Sequence, residues 1–205
     1  MSLIRSSAKG DLGAVKKLLS EGADVNSTDA NGRTALIEAS WGGYNDVVKL
    51  LIEKGADVNA ADKSGYTAIM RASEEGHQTI VTSLIKAGAD VNCKGKVKGT
   101  TPLMLAAERG HIKILGTLIS NGAKVNDLDL YEETALARAY HSEQTKAAEF
   151  LESKGGRGKP ERSSYSYSEK ESKGTTKASL PQWSAAAFES GYDEEEGPAE
   201  SFDEE

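Results

Sequence analysis

A five-residue string returns along this chain at a fixed interval. Gly-Ala-Asp-Val-Asn occupies residues 22 to 26, 55 to 59 and 88 to 92, and Gly-Ala-Lys-Val-Asn occupies 122 to 126. A second marker keeps step with it, Thr34-Ala35-Leu36 returning as Thr67-Ala68-Ile69, Thr101-Pro102-Leu103 and Thr134-Ala135-Leu136. Two markers locked at steps of 33 or 34 residues describe one small unit copied along the chain. A unit of that length cannot bury an apolar face alone, so the copies must stack, with polar outer faces on the end units.

Each marker has a physical job. Thr34, Thr67, Thr101 and Thr134 suit the helix N-cap, where a hydroxyl accepts an otherwise unpaired backbone N–H, and Pro102 suits the next position. Gly22, Gly55, Gly88, Gly122 and Gly155 follow apolar stretches such as Val47, Val48 and Leu51, where a left-handed residue ends a helix. Gly43, Gly76 and Gly110 mark the turn joining two short helices, and Asp29-x-x-Gly32 and Asp62-x-x-Gly65 mark tight turns between units. Each unit is therefore turn, helix, turn, helix.

On these residues the chain resembles ankyrin repeats, whose period and Thr-Pro-Leu-His-x-Ala pattern it follows over about 155 of its 205 residues. The pattern's histidine is replaced by Ile37, Met70, Met104 and Ala137, which exchanges a local hydrogen bond for apolar packing. The expected fold is an all-α solenoid of about five helix-turn-helix repeats. Lys17 stands where repeat 2 has Leu50, and Glu152 where Ile52 would align, so repeats 1 and 5 read as caps. Repeat 5 also carries Glu132 and Glu143 in place of Gly65 and Gly76, which makes its turns the hardest to anticipate.

The pattern stops at Gly155, which divides the chain into a repeat domain, 1 to 155, and a tail, 156 to 205. Residues 156 to 180 hold six basic and three acidic groups; residues 181 to 205 hold nine acidic and no basic ones. Gly, Ser, Lys, Glu and Thr dominate the first part, so burial cannot offset ordering entropy and disorder is expected there. Leu180, Trp183 and Phe188 then precede an acidic run, in the manner of a short partner-binding motif at 180 to 196; a merely solvating tail is the competing reading.

Composition limits the function classes. The net charge of −7, with 25 basic against 32 acidic residues, gives no support to phosphate-neutralising binding of nucleic acid. The longest apolar run, Pro102 to Ala107, is far short of the roughly 20 residues that span a bilayer. Arg5, Lys9 and Asp11 interrupt any apolar signal-peptide region, and a lone Cys93 needs no oxidising compartment, so a cytoplasmic or nuclear monomer is expected. No Gly-x-Ser-x-Gly, Gly-Lys-Ser/Thr or His-Glu-x-x-His occurs, and neither an enzyme activity, a cofactor nor a metal site is expected. His77 and His111 read as structural, and Cys93 as filling a small site near a turn.

The resemblance places partner binding on the turn tips and the inner helix surface. The candidates are Asn31, Arg33, Glu38 and Trp41 in repeat 2, and Lys63, Tyr66, Arg71, Glu74 and Glu75 in repeat 3. Repeat 4 adds Lys96, Lys98, Thr100, Leu105, Glu108 and Arg109, and repeat 5 adds Leu130, Tyr131, Arg138 and His141. Trp41 aligns with Glu74 and Glu108, so it is read either as an interface anchor or as a cover for its own helix turn. The loop 93 to 99 is one residue longer than its siblings and makes a small basic fingertip. Together these features describe a non-catalytic adaptor for a protein partner, with the tail as a second or autoregulatory element. The alternative is an inhibitor of a single partner enzyme or complex.

Overall fold

The computed structural model describes residues 2–158. It pairs ten helices among them into five units: α1 (Leu3–Ala8) with α2 (Leu12–Ser20), α3 (Ala35–Trp41) with α4 (Asn45–Glu53), α5 (Ala68–Glu74) with α6 (Gln78–Lys86), α7 (Pro102–Glu108) with α8 (Ile112–Ser120), and α9 (Ala135–His141) with α10 (Thr145–Ser153). The odd-numbered helices form an inner row, α1 on α3, α3 on α5, α5 on α7 and α7 on α9, and the even-numbered helices form an outer row behind it. No strand is present among the described residues; the loops ahead of α3 and α5 carry only single bridges, Thr28 with Thr34 and Ala61 with Thr67.

Capping follows the threonines with one exception. The hydroxyls of Thr34, Thr101 and Thr134 accept from the backbone N–H of Ile37, Met104 and Ala137, three residues on. Thr67 keeps the extended N-cap backbone but makes no such bond, its Oγ1 lying 3.3 Å from Cys93 Sγ in the next repeat. At α7 the Met104 sulfur accepts from the Thr101 N–H at 3.4 Å, returning part of what the missing histidine would supply.

Between the rows, Leu36 and Ile37, Ile69, and Leu103 and Met104 meet Val47, Val48 and Leu51, Ile80, Val81 and Leu84, and Ile114, Leu115 and Leu118 in one buried cluster, and Met70 is buried as well. Each such side chain contributes about 1.5 to 3 kcal/mol on removal from water. In α10 the same layer thins to Ala147, Ala148 and Leu151, which ends the core. Both expected caps are polar outside: Lys17 is exposed, and Glu152 accepts from Tyr140 Oη at 2.6 Å.

Neighbouring repeats are stapled by the asparagine of the recurring string. Asn26, Asn59, Asn92 and Asn126 each donate through Nδ2 to the carbonyl of Gly55, Gly88, Gly122 and Gly155, and each Oδ1 accepts the N–H two residues beyond that glycine, of Asp57, Asp90, Lys124 and Arg157. The last staple reaches Arg157, whose carbonyl also accepts from Thr134 Oγ1 at 2.7 Å.

A second register joins the repeats on the helix-helix turns. His77 Nε2 lies 3.1 Å from the Trp41 carbonyl and His111 Nε2 lies 3.0 Å from the Glu74 carbonyl, so each ring satisfies the end of the preceding inner helix. The close approach needs a bare backbone: a Cβ on Gly76 would lie 2.7 Å from the His111 ring. In repeat 5 the turns hold their shape without glycine, Glu132 and Glu143 taking φ of 61° and 58°. The left-handed conformation costs a side-chain-bearing residue about 1 to 2 kcal/mol.

Candidate partner-binding face

The hairpins that precede α3, α5, α7 and α9 stand side by side and are joined through the backbone. Lys63 N–H donates to Asn31 O, Lys96 N–H to Ser64 O and Leu130 N–H to Lys98 O, each at 2.9 Å. Asp29, Asp62 and Asp129 fix three of the hairpins from within, Oδ1 of each accepting two backbone N–H groups two and four residues on. The fourth lacks the Asp and is closed by Gly95 N–H to Thr100 O at 3.0 Å and Gly99 N–H to Gly95 O at 2.9 Å, which accommodates its extra residue. Asn31, Lys63, Lys96, Lys98, Leu130 and Tyr131 are all exposed along this row.

Behind the row, Arg33 and Tyr66 at the hairpin bases join Trp41 on α3 and Arg71 on α5 in an alternating stack of cations and rings. The Arg33 guanidinium lies 5.2 Å from the Trp41 ring centroid; Arg71 sits 4.6 Å from Trp41 and 4.2 Å from Tyr66. The arginines are neutralised in place, Arg33 by Glu38 at 3.1 Å and Arg71 by Glu74 at 3.3 Å and Asp62 at 3.5 Å. Trp41 Nε1–H donates to Glu75 at 3.2 Å, and Arg109 reaches Glu74 at 3.8 Å. Cation-ring contacts of this kind contribute about 0.5 to 2 kcal/mol according to desolvation. Burial, seconded by Glu74, pushes the Tyr66 phenol above its ordinary range against the opposing pull of Arg71. Trp41 is half-buried between the two guanidiniums, and with Ala8, Glu38 and Gly42 it lines a shallow hollow of about 220 Å³.

Repeat 5 places its arginine elsewhere. Arg138 is buried; it donates to Asp129 Oδ2 at 2.7 and 3.2 Å, to Glu108 at 2.8 Å and to Thr100 Oγ1 at 3.3 Å. Burial pushes the Asp129 carboxyl up, but hydrogen bonds from Arg138 and from the N–H groups of Glu133 and Tyr131 outweigh it and hold the group below its ordinary range. His141 Nδ1 lies 2.8 Å from Glu133. Lys98, Tyr131, His141 and Ser142 join Glu108, Glu133 and Arg138 around a polar cleft of about 280 Å³.

Several expectations change. Thr100 and Leu105 are buried, at 1% and 4% exposure, with the Thr100 hydroxyl accepting from Arg138, so neither is the exposed contact residue expected. Arg138 is an internal tie. Leu180, Trp183 and Phe188 lie outside the described residues. Sequence reading also passed over Asp62, Asp129 and Glu133, the acids that hold the arginines, and Val97 and Leu128, both exposed. Cys93 is part-buried, and burial, reinforced by Asp90 against the hydrogen bond it shares with Thr67, raises its thiol above the ordinary value, away from nucleophile behaviour.

No described helix is long and apolar enough to cross a membrane, and no group of three or more His, Cys, Asp or Glu side chains among the described residues is placed to share a metal ion. A family model for ankyrin repeats, in three copies, matches residues 3–95 and 82–159. A comparison with curated proteins finds no match.

Proposed function

The chain belongs to the ankyrin-repeat family, and from that premise we propose that it is a non-catalytic adaptor that grips a partner protein with its hairpin tips and inner helices. Ankyrin repeats are in general protein-protein interaction modules, and the family is typically non-enzymatic. One observation carries the reading for this chain: four successive hairpins, tied to each other by backbone bonds, present Asn31, Lys63, Lys96, Lys98, Leu130 and Tyr131 to solvent on one line. A row fixed in this way loses little conformational freedom on binding. The stacked Arg33, Trp41, Arg71 and Tyr66 give the adjoining helix surface a fixed shape for the same partner to meet. The tail, with its acidic end and Leu180, Trp183 and Phe188, is proposed as a second or autoregulatory binding element, and the protein as a cytoplasmic or nuclear monomer.

Affinity capture from native cells tests the reading. The full chain is compared with one form carrying Asn31→Ala, Lys63→Glu and Lys96→Glu, and with another carrying Glu38→Lys and Glu75→Lys. Loss of a shared partner from either form supports it. The same proteins at the same yield from all three forms would overturn it.

A further inference from the structure

Apolar side chains on a folded surface are usually scattered singly, and a cluster marks a place where something binds. Among the described residues the exposed large apolar side chains are Val97 at 65%, Leu128 at 48%, Leu130 at 68% and Tyr131 at 65%. All four fall in two neighbouring loops, 93 to 99 and 127 to 132, although the described chain runs through five repeats. The loops are locked together. Leu130 N–H donates to Lys98 O at 2.9 Å, Lys94 Nζ donates to Leu128 O at 2.9 Å and pairs with Asp127 at 3.0 Å, and the Leu130 side chain lies over Gly99, where an added Cβ would meet its Cγ at 3.2 Å. The four side chains thus stand on one braced platform.

Charge selects what the platform takes. Lys94 is spent on Asp127, but among the described residues no carboxylate lies within 4.0 Å of the ammonium groups of Lys96 and Lys98, which flank Val97. In the cleft beside Lys98, Glu108 is held by Arg138 and Glu133 by His141 and Arg138, so those carboxylates do not compete for the lysine. The second loop carries one carboxylate, Glu132, without an ion pair among the described residues, which leaves the positive excess on the first loop.

Resting on the adaptor reading, we propose that loops 93 to 99 and 127 to 132 form one docking surface for an acidic-apolar segment of a partner protein. Its Asp or Glu side chains lie against Lys96 and Lys98, and adjacent aliphatic or aromatic side chains lie on Val97, Leu128, Leu130 and Tyr131. A basic segment would meet the two lysines, and a purely acidic one would leave the apolar side chains wet.

The test uses the full chain and a fluorescein-labelled peptide in which Glu alternates with Leu and Phe. Anisotropy gives the affinity, and amide shifts of the isotope-labelled chain give the place. Saturable binding is expected, with shifts concentrated in 96 to 99 and 128 to 132. It should weaken at least tenfold in a Leu130→Ser, Tyr131→Ser form, at least tenfold in a Lys96→Glu, Lys98→Glu form, and likewise for a peptide with Gln in place of Glu. Circular dichroism is expected unchanged in both forms, because the substituted side chains are exposed. The proposal is overturned if the peptide does not bind, if the shifts lie elsewhere, if Gln and Glu peptides bind alike, or if sedimentation shows these loops pairing two copies of the chain. Capture from native cells separates this from the broader reading. A partner kept by the loop forms but lost with Glu38→Lys, Glu75→Lys sinks the docking surface alone, whereas recovery indifferent to every substitution sinks the adaptor.

Discussion

Arg71 in repeat 3 and Lys98 in repeat 4 are both cations on the side of the solenoid expected to meet a partner, and their surroundings differ. Arg71 has a ring on each side and two carboxylates within 3.5 Å, and its side chain is 15% exposed. Lys98 has its backbone carbonyl bound to Leu130 and, among the described residues, its ammonium without a carboxylate partner. The same contrast separates Trp41, held by Arg33, Arg71 and Glu75, from Tyr131, whose exposed ring makes no such contacts. Trp, Tyr and Arg are the residue types enriched at interface hot spots, yet in repeats 2 and 3 they have found one another. A partner docked there would meet a surface whose arginines are already paired, while at the tips of repeats 4 and 5 it would meet groups with interactions still to make. Composition alone ranks these two regions in the wrong order for free interaction capacity.

The comparison breaks most sharply at Arg138, the arginine on which the exposed tips of repeat 5 are seated. Arg138→Ala leaves the Asp129 carboxylate buried and unpaired, and removing one partner of such a pair typically costs about 3 kcal/mol or more. Urea denaturation should show that loss, with amide exchange accelerated first in α9 and α10. Acid offers an independent check. Asp129 has its folded pKa depressed, so its contribution is complete above the unfolded value of about 3.9 and is lost as pH falls through the lower folded value. Wild-type stability should therefore drop more steeply below about pH 4 than that of Asp129→Asn, which starts less stable and loses this dependence. A parallel drop in both would show that other carboxylates dominate.

Next in size is a paired substitution that sets cover against contact. Trp41→Ala removes two cation-ring contacts and a half-buried indole, with an expected cost of about 2 kcal/mol in urea unfolding. Leu130→Ser, on a side chain 68% exposed, should stay within about 0.5 kcal/mol of wild type. If partner affinity falls with Leu130→Ser and stability with Trp41→Ala, the two regions have the separate roles assigned to them. A Trp41→Ala form as stable as wild type but blind to its partner would instead make Trp41 an interface anchor.

What was legible follows from the range of the chemistry involved. Thr34 caps Ile37 three residues away and Gly55 ends its own helix, so these signals are local and repeat with the period. The period named the fold, and even the turns at Glu132 and Glu143 kept the geometry that the stacking demands. Arg138 meets Thr100 38 positions away and Glu108 30 positions away, and nothing in the local string distinguishes such an arginine from a surface one. Thr67 shows the same limit: its sequence context equals that of Thr34, but Cys93 in the next repeat draws its hydroxyl off the cap. The asparagines were legible as markers and not as staples, because their partners lie 29 to 32 residues on.

The smallest expected effect uses the two strained glutamates as a matched pair. Glu132 and Glu143 both hold positive φ, and replacing either by Gly relieves a left-handed penalty of about 1 to 2 kcal/mol while adding unfolded-state entropy of about 0.5 to 1 kcal/mol. Each change should therefore stabilise by about 0.5 to 1 kcal/mol in urea unfolding. Their effects on binding should differ. Glu132 lies on the second loop of the proposed platform, where its exposed carboxylate would repel an acidic segment; Glu143 lies in the turn between α9 and α10. Removing one exposed charge beside a binding site is worth about 0.2 to 1 kcal/mol, so Glu132→Gly should tighten the Glu-containing peptide by about 1.4- to fivefold at low salt. Added salt should erase that gain, since screening acts on exposed charges first. Glu143→Gly should gain the same stability and leave the peptide affinity unchanged. Equal tightening by both would trace the effect to a stiffer repeat 5 and would remove Glu132 from the electrostatics of the platform.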